Sequence, residues 1–359
     1  MNVIPPLTIT AARFTSSTVV DTPPAEYIVG SPGTTYAINE TVSVYGALGL
    51  REVYKSLQNG NQNNTPSSSP TWWRHLCDTY QVYSSGTTYT QGEFVLDDTN
   101  HLIYESLISS NLGNALTDTA KWLLIGPSNK WAMFDFLRNT ATVAPFENPI
   151  TVVITPGVRV DSIALLGLVA NSYSITMTSV TGGGTVYTAT GSLDTRIVGD
   201  WYDYFFEVFS TAKSVVFFNL PPYTDGIITV VITATSGNAE CGACVVGSYE
   251  YIGDVQYDAD ADVLNFSSVT RDFAGGTSQM VQRRNVPRTI QQIFLDKTLV
   301  NRARALRESL NAVPAVWSGL DDSTDDFFES FIILGFYKRF SINAKDFLLA
   351  VISLELEEI

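Results

Sequence analysis

"GTTYTQGEFVLDDTNHLIYESL" at residues 86–107 has a near twin in "GTTYAINETVSVYGALGLREVYKSL" at residues 33–57. The match extends beyond the shared opening. Tyr27 aligns with Tyr80, Tyr36 with Tyr89, Glu40 with Glu93 and Val42 with Val95. After a shortening in the second copy, Tyr54, Ser56 and Leu57 align with Tyr104, Ser106 and Leu107, then Asn61 with Asn111 and Trp72 with Trp122. The chain therefore carries two tandem units, over residues 25–76 and 77–126. In each, a turn feeds a strand, and the alternation in "EFVL" puts Phe94 and Leu96 on one face. The turn "DDTN" then leads to a second strand, and a loop rich in Asn, Ser and Pro closes on tryptophan. A unit this short buries little surface, so its aromatic rings must carry the core.

Size and composition bound the rest. The 359 residues suffice for two or three domains, 45% of them are apolar and only 16% are charged. A formal net charge of −15 argues against a nucleic-acid partner, because phosphate binding needs a basic face. Arg283, Arg284, Arg288, Arg302, Arg304 and Arg307 do cluster late in the chain, a set better suited to pairing with acids across an interface. The opening "MNVIPPLTITAARFTSS" lacks the basic and apolar blocks of an export signal. No apolar run reaches ~18 residues, so no membrane span is expected. Residues 1–24, rich in Pro and Thr, read as an extended arm that orders against a neighbour. Cys241 and Cys244 form a lone CxxC with no His or Cys partner nearby, and read as two small buried residues.

Residues 127–149 form a linking segment, where Trp131, Met133, Phe134 and Phe136 suit an adaptor packing one domain on the next. From residue 150 about eight short β-rich stretches follow, among them "PITVVITPG", "VDSIALLGLVA", "SYSITMTSVT" and "GIITVVITATSG". Their number and spacing predict a jelly-roll-like β-sandwich over 150–255. Within it "TGGGTVY" reads as a hairpin turn, not a phosphate loop. Trp201, Tyr202, Tyr204, Phe205, Phe206 and Phe209 read as an aromatic patch at a strand start, partly core and partly partner surface. Over 256–359 a C-terminal α+β assembly domain is expected. Leu299, Ala303, Leu306 and Leu310 predict one helix over 297–311, with Arg302, Arg304, Arg307 and Glu308 on its other positions. The acids Asp321, Asp322, Asp325, Asp326 and Glu329 lack EF-hand spacing and read as a solvated loop.

Catalytic signals are absent. The two histidines, His75 and His101, fall at non-equivalent places in the repeat, and there is no HExxH, GxSxG or P-loop motif. Asp161, Asp194, Asp200, Asp203 and Glu207 contain no pair that the sequence singles out for glycoside cleavage. No enzyme activity, cofactor or metal is expected. The fold class is mainly β: two small tandem β modules, a jelly-roll-like sandwich and a C-terminal α+β domain.

The repeat resembles the small tryptophan-closed β modules of the chitin- and cellulose-binding type, which also occur in phage tail proteins. That resemblance makes Tyr36, Trp72, Trp73, Tyr89 and Trp122 sugar-binding candidates, with mini-core roles as the competing reading. The whole chain resembles bacteriophage tail and baseplate proteins, on the repeated modules, on "GPSNKWAMFD" at 126–135, on "VDSIALLGL" and "WYDYFFEVF", and on "RRNVPRT", "VWSG", "GFYKRFSI" and "LELEEI". It implies a structural component near the distal tail, assembled in the host cytoplasm and carried in the virion. Such a part would join tube or hub to fibres as a homo-oligomer, with other tail proteins as partners and a host-surface glycan as a candidate ligand. Interface candidates are Trp131, Phe134, Trp201, Arg302, Arg307 and Trp317. The alternative is a glycan-binding protein whose tandem modules hold cell-surface polysaccharide.

Overall fold

The computed structural model describes all residues except 29–33, 138, 196–198, 207–209, 258, 272–276, 284, 321–324, 326 and 345–347. The chain is mostly β-strand, in several antiparallel sheets, with two α-helices among the described residues: α1 at Trp201–Phe206 and α2 at Val300–Ser309.

Each repeat unit folds on a three-stranded sheet. The first uses Thr41–Tyr45, Leu50–Ser56 and Trp73–Tyr80; the second uses Phe94–Asp97, Leu102–Ser106 and Trp122–Pro127. The first turn differs between them. In the second unit burial pushes the Asp97 pKa up, but the bonds its carboxylate accepts from the Asn100 side chain and from the backbone amides of Asn100 and Thr99 outweigh it and hold the pKa below the usual carboxylate range. In the first unit "YGALGL" instead turns through Leu48 and Gly49, both at positive φ. A Cβ on Gly49 would lie 2.2 Å from the Phe94 carbonyl, so the first unit's turn needs glycine to press against the second unit's strand. Phe94 also packs against the tilted ring of Tyr80 at 5.2 Å, while Val95 faces the second unit's own core.

Beyond the modules, three sheets and a helix lie in layers. The first sheet runs in the order Gly184–Ser192, Ser172–Ser179, Ile227–Thr233, Ile150–Ile154 and Phe14–Ser17. The second runs Ser214–Phe217, Ser162–Leu166 and Ala243–Gly247. Ile150, Val152, Ile154, Ile175, Met177, Ile228, Val230 and Ile232 of the first pack on Ile163, Leu165, Cys244 and Val246 of the second. The intervening residues of that second sheet, Ala164, Leu166, Ala243 and Val245, pack the other way, on Ile4, Val316, Ile332 and Leu334. Period-two alternation thus feeds two cores at once, which is why "SIALL" is an unbroken apolar run.

Those outer contacts belong to an eight-stranded sheet ordered Glu250–Tyr251, Asn2–Ile4, Ala315–Ser318, Ile332–Ala344, Leu349–Glu358, Asn285–Asp296 and Asp254–Val255, with Asp260–Asn265 also on Asn285–Asp296. Its far face, with Trp317, Ile333, Ile352 and Leu354, receives Ala303, Leu306 and Leu310 of α2 and its C-terminal cap. The helix forms where the spacing of those residues places it. Each fully buried Ile or Leu in these seams contributes roughly 1.5–3 kcal/mol.

In its strands and helices the structure differs from the sequence expectation in three places. Residues 1–24 are extended but do not wait for a neighbouring molecule: Asn2–Ile4 pairs with Ala315–Ser318, and Phe14–Ser17 pairs with Ile150–Ile154. Glu250–Tyr251 and Asp254–Val255 join the C-terminal sheet, so the boundary near 255 does not separate two cores. The segment "WYDYFF" is α1, a helix, where a strand start was expected. The hairpin around "TGGGTVY" forms as expected, with Ser179 opposite Gly184.

Candidate functional site

The proposed sugar-binding rings face inward. Tyr36, Trp73, Tyr89 and Trp122 are all buried, and Trp72 is half-buried against the first mini-core. In the first unit Tyr27 stacks on Tyr36 at 5.7 Å, and both meet Trp73 edge-on. In the second, Tyr83 stacks on Tyr89 at 6.0 Å, and both meet Trp122 edge-on. Burial raises the pKa of the Tyr27 and Tyr89 hydroxyls.

One asparagine network locks each triad. Asn61 Nδ2 donates to Ser56 Oγ at 3.0 Å and to the Trp72 carbonyl at 3.3 Å; Asn111 Nδ2 donates to Ser106 Oγ at 3.0 Å and to the Lys121 carbonyl at 3.3 Å. Asn64 and Asn114 donate to Asn61 and Asn111 in turn. Their carbonyls accept from the indole N–H of Trp73 at 2.8 Å and of Trp122 at 3.1 Å. These bonds correct the repeat alignment. Trp73, not Trp72, is the counterpart of Trp122, and Tyr83, not Tyr80, is the counterpart of Tyr27. Asn64 and Trp73 are 9 residues apart whereas Asn114 and Trp122 are 8 apart, so the first loop carries one extra residue.

Most interface candidates also serve the chain's own packing. Trp317 is wholly buried and donates from its indole N–H to the Gly335 carbonyl at 3.1 Å. Phe134 is buried, edge-on to Phe14 at 5.6 Å. Trp131 is half-buried between Phe14 and the His101 ring, which lies 4.3 Å away and is hydrogen-bonded to Asp21 at 2.6 Å. Arg302 pairs with Glu250, tying α2 to its own sheet. Arg307 is half-buried, and its carbonyl accepts from the Tyr337 hydroxyl at 2.7 Å.

Trp201 is the exception, and its neighbours share its position. On α1, Trp201, Tyr202, Tyr204, Phe205 and Phe206 are 78%, 70%, 54%, 68% and 68% exposed. The helix is held by a reciprocal cap: Asp200 accepts from the Asp203 amide at 2.9 Å, and Asp203 accepts from the Gly199 amide at 3.0 Å. Ring contacts at i,i+4 order the side chains, with Trp201 to Phe205 at 6.3 Å and Tyr202 to Phe206 at 4.9 Å. Beside them lies a cavity of ≈ 650 Å³ lined by Gly199, Asp200, Trp201 and Tyr204. At 150–250 Å² per aromatic side chain, the surface left in water is roughly 500–850 Å². A specific interface buries about 800 Å² per partner. The Asp-x-x-Asp spacing of "DWYD" was the sequence signal for this helix; the strand preference of aromatic residues concealed it. Glu207 and Phe209 lie outside the described residues.

The remaining acids have structural partners. Asp161 accepts from the Tyr249 amide at 2.9 Å, Asp325 from the Phe327 amide at 2.8 Å, and Glu329 from the Lys213 amide at 2.5 Å. Asp321, Asp322 and Asp326 lie outside the described residues, as does Arg284. Among the described residues no group of three or more His, Cys, Asp or Glu side chains is placed to hold a metal ion, and no helix is long and apolar enough to cross a membrane. Comparison with protein-family models, curated proteins and solved structures finds no match to this chain.

Proposed function

We propose that this chain is a structural assembly subunit of a bacteriophage tail or baseplate, joining tube or hub to fibres within the virion. The observation that carries the reading is the division of its aromatic residues. The triads Tyr27, Tyr36, Trp73 and Tyr83, Tyr89, Trp122 are spent on the modules' own cores, while α1 holds its rings in water. A contiguous aromatic patch of that size is the mark of a protein-binding surface. The choice of particle rests on the resemblance of the sequence phrases to tail and baseplate proteins.

The layered sheets suit the same role. The first two sheets share one core, as the two sheets of a β-sandwich do. The third sheet and α2 stiffen it from behind. Four of the five candidate rings of the glycan-binding alternative, Tyr36, Trp73, Tyr89 and Trp122, are buried, which favours the assembly reading. The modules then act as spacers pinned to the body through Trp131 and His101.

Gold-labelled antibody against the chain, applied to phage particles that carry it, tests the reading. Decoration of the distal tail is expected. Intact particles free of label, with the chain found only in the soluble lysate, would overturn it.

A further inference from the structure

The second module leaves open an edge that the first module keeps covered. Trp73–Tyr80 and Trp122–Pro127 are outer strands of their three-stranded sheets, and both pair inward in the same register. Trp73 lies opposite Ser56, His75 opposite Tyr54 and Cys77 opposite Val53. In the second module Trp122 lies opposite Ser106, Leu124 opposite Tyr104 and Gly126 opposite Ile103. Each outer strand bulges at the same place, at Leu76 and at Ile125. Arg74, His75 and Leu76 therefore correspond to Leu123, Leu124 and Ile125.

The amides of Leu57 and Leu107 donate to the Trp72 and Lys121 carbonyls, both at 2.9 Å, which fixes the phase of the two ladders. The backbone amide and carbonyl of His75, and those of Leu124, then point away from their sheets. In the first module the body closes that edge. Asn148 Nδ2 donates to the His75 carbonyl, Arg74 pairs with Glu147 at 3.5 Å, and Leu76 and Cys77 pack on the core of the first two sheets. In the second, no described group of the chain bonds the Leu124 amide or carbonyl. Leu123, Leu124 and Ile125 are 48%, 53% and 51% exposed. An apolar edge with open backbone groups is a template for another strand.

We infer that the strands Trp122–Pro127 of two copies pair antiparallel about a two-fold axis through Leu124, joining two three-stranded sheets into one of six strands. This names a second copy as a partner of the assembly subunit, and it rests on that reading for its role though not for its geometry. Self-complementarity selects the occupant. A residue on the axis meets itself, so Leu124 lies against Leu124, Leu123 against Ile125 and Lys121 against Pro127. No charged residue stands between Lys121 and Lys130, and Glu105, opposite Leu123, is one strand further from the axis. Like charges therefore do not meet across the paired strands, on a chain whose net charge of −15 otherwise keeps copies apart. The two Leu124 residues exchange a pair of backbone hydrogen bonds, and the bulge at Ile125 and the missing amide of Pro127 end the ladder. The contact is small, at the low end of specific interfaces, and being isologous it closes at a dimer.

Substitutions of Leu124 in the full-length chain test it. The side chain is exposed, and unchanged circular dichroism and melting check that each variant folds. In a light-scattering concentration series wild type should rise from the 39.3 kDa monomer to at least twice that mass. Leu124→Lys and Leu124→Glu each set like charges on the axis and should weaken self-association at least about 100-fold. Mixed in equal amounts the two variants should pair again, because lysine then meets glutamate. With oxidised glutathione, Leu124→Cys should cross-link two chains, whereas Leu123→Cys should not, since its two copies lie diagonally across the axis. The three native thiols are buried and stay out of that reaction. Wild type that is monomeric at every concentration would overturn the contact. So would a Leu124→Lys variant with wild-type mass, a Lys–Glu mixture that stays monomeric, or a Leu124→Cys chain that does not cross-link. Antibody labelling of particles decides the assembly reading separately. Labelled tails with monomeric wild type would remove the two-fold contact alone; unlabelled particles with a dimer that obeys the Leu124 pattern would remove the tail reading and leave the contact.

Discussion

Asn111 donates its side-chain amide to the Ser106 hydroxyl at 3.0 Å, and the first unit repeats the bond between Asn61 and Ser56 at the same distance. The polar lock is thus conserved between the two copies as closely as the aromatic triad it holds. The asparagine fixes the long loop, and the loop carbonyl fixes the tryptophan.

Breaking the lock should unfold the unit that contains it. Asn111→Ala removes the bonds to Ser106 and Lys121 and leaves Asn114 without its acceptor. At about 1 kcal/mol per bond, with a further penalty for buried groups left unpaired, a loss of roughly 2–4 kcal/mol is expected. Asn61→Ala should act equally in the first unit. Denaturant titration followed by tryptophan fluorescence measures both; an effect under 1 kcal/mol would contradict the lock.

The tryptophans should divide sharply. Trp317→Ala empties the core beneath α2 and strands the Gly335 carbonyl, for a loss of about 3–5 kcal/mol. Trp201→Ala should change monomer stability by no more than about 0.5 kcal/mol, since its ring is in water. Thermal melts at low protein concentration compare the two.

Cys77, Cys241 and Cys244 are buried free thiols. Burial pushes the Cys77 thiol up to about 11 and Cys244 to about 12, and raises Cys241 well above its usual value. Thiolate is the reactive form, so a thiol reagent at pH 8 should leave all three unlabelled in the native protein and label all three in denaturant. Rapid native labelling of any one would contradict their placement.

Asp225 anchors the turn between Ser172–Ser179 and Gly184–Ser192. It accepts from the Thr181 amide at 2.8 Å and the Ser179 hydroxyl at 2.7 Å, and these bonds lower its pKa to about 2. A depressed folded pKa means that its stabilisation is complete above the unfolded value near ~3.9 and is lost as pH falls through about 2. Stability curves of wild type and Asp225→Ala should therefore run apart above pH 4 and converge on acidification. Parallel curves down to pH 2 would contradict the assignment.

The repeat, the α2 helix and the hairpin at 179–184 were legible because local spacing dictates each of them. The doubled tryptophan of "TWW" hid the repeat register: the indole bond to Asn64 and the edge-on contacts with Tyr27 and Tyr36 identify Trp73 as the buried member. The strand Asn2–Ile4 carries almost no local signal. It exists because Ala315–Ser318 offers it an edge, a contact between the two ends of the chain. The exposure of α1 was equally hidden, since aromatic residues belong to cores and interfaces alike and only the packing of the other sheets leaves these rings outside.

The most direct test of α1 as an assembly surface is hydrogen exchange of residues 201–206 across a range of protein concentration. A short, water-exposed helix exchanges fast in the monomer. If α1 is the surface through which copies join, its amides should become protected as concentration rises. Exchange that stays fast at concentrations where the chain is fully assembled would contradict the account.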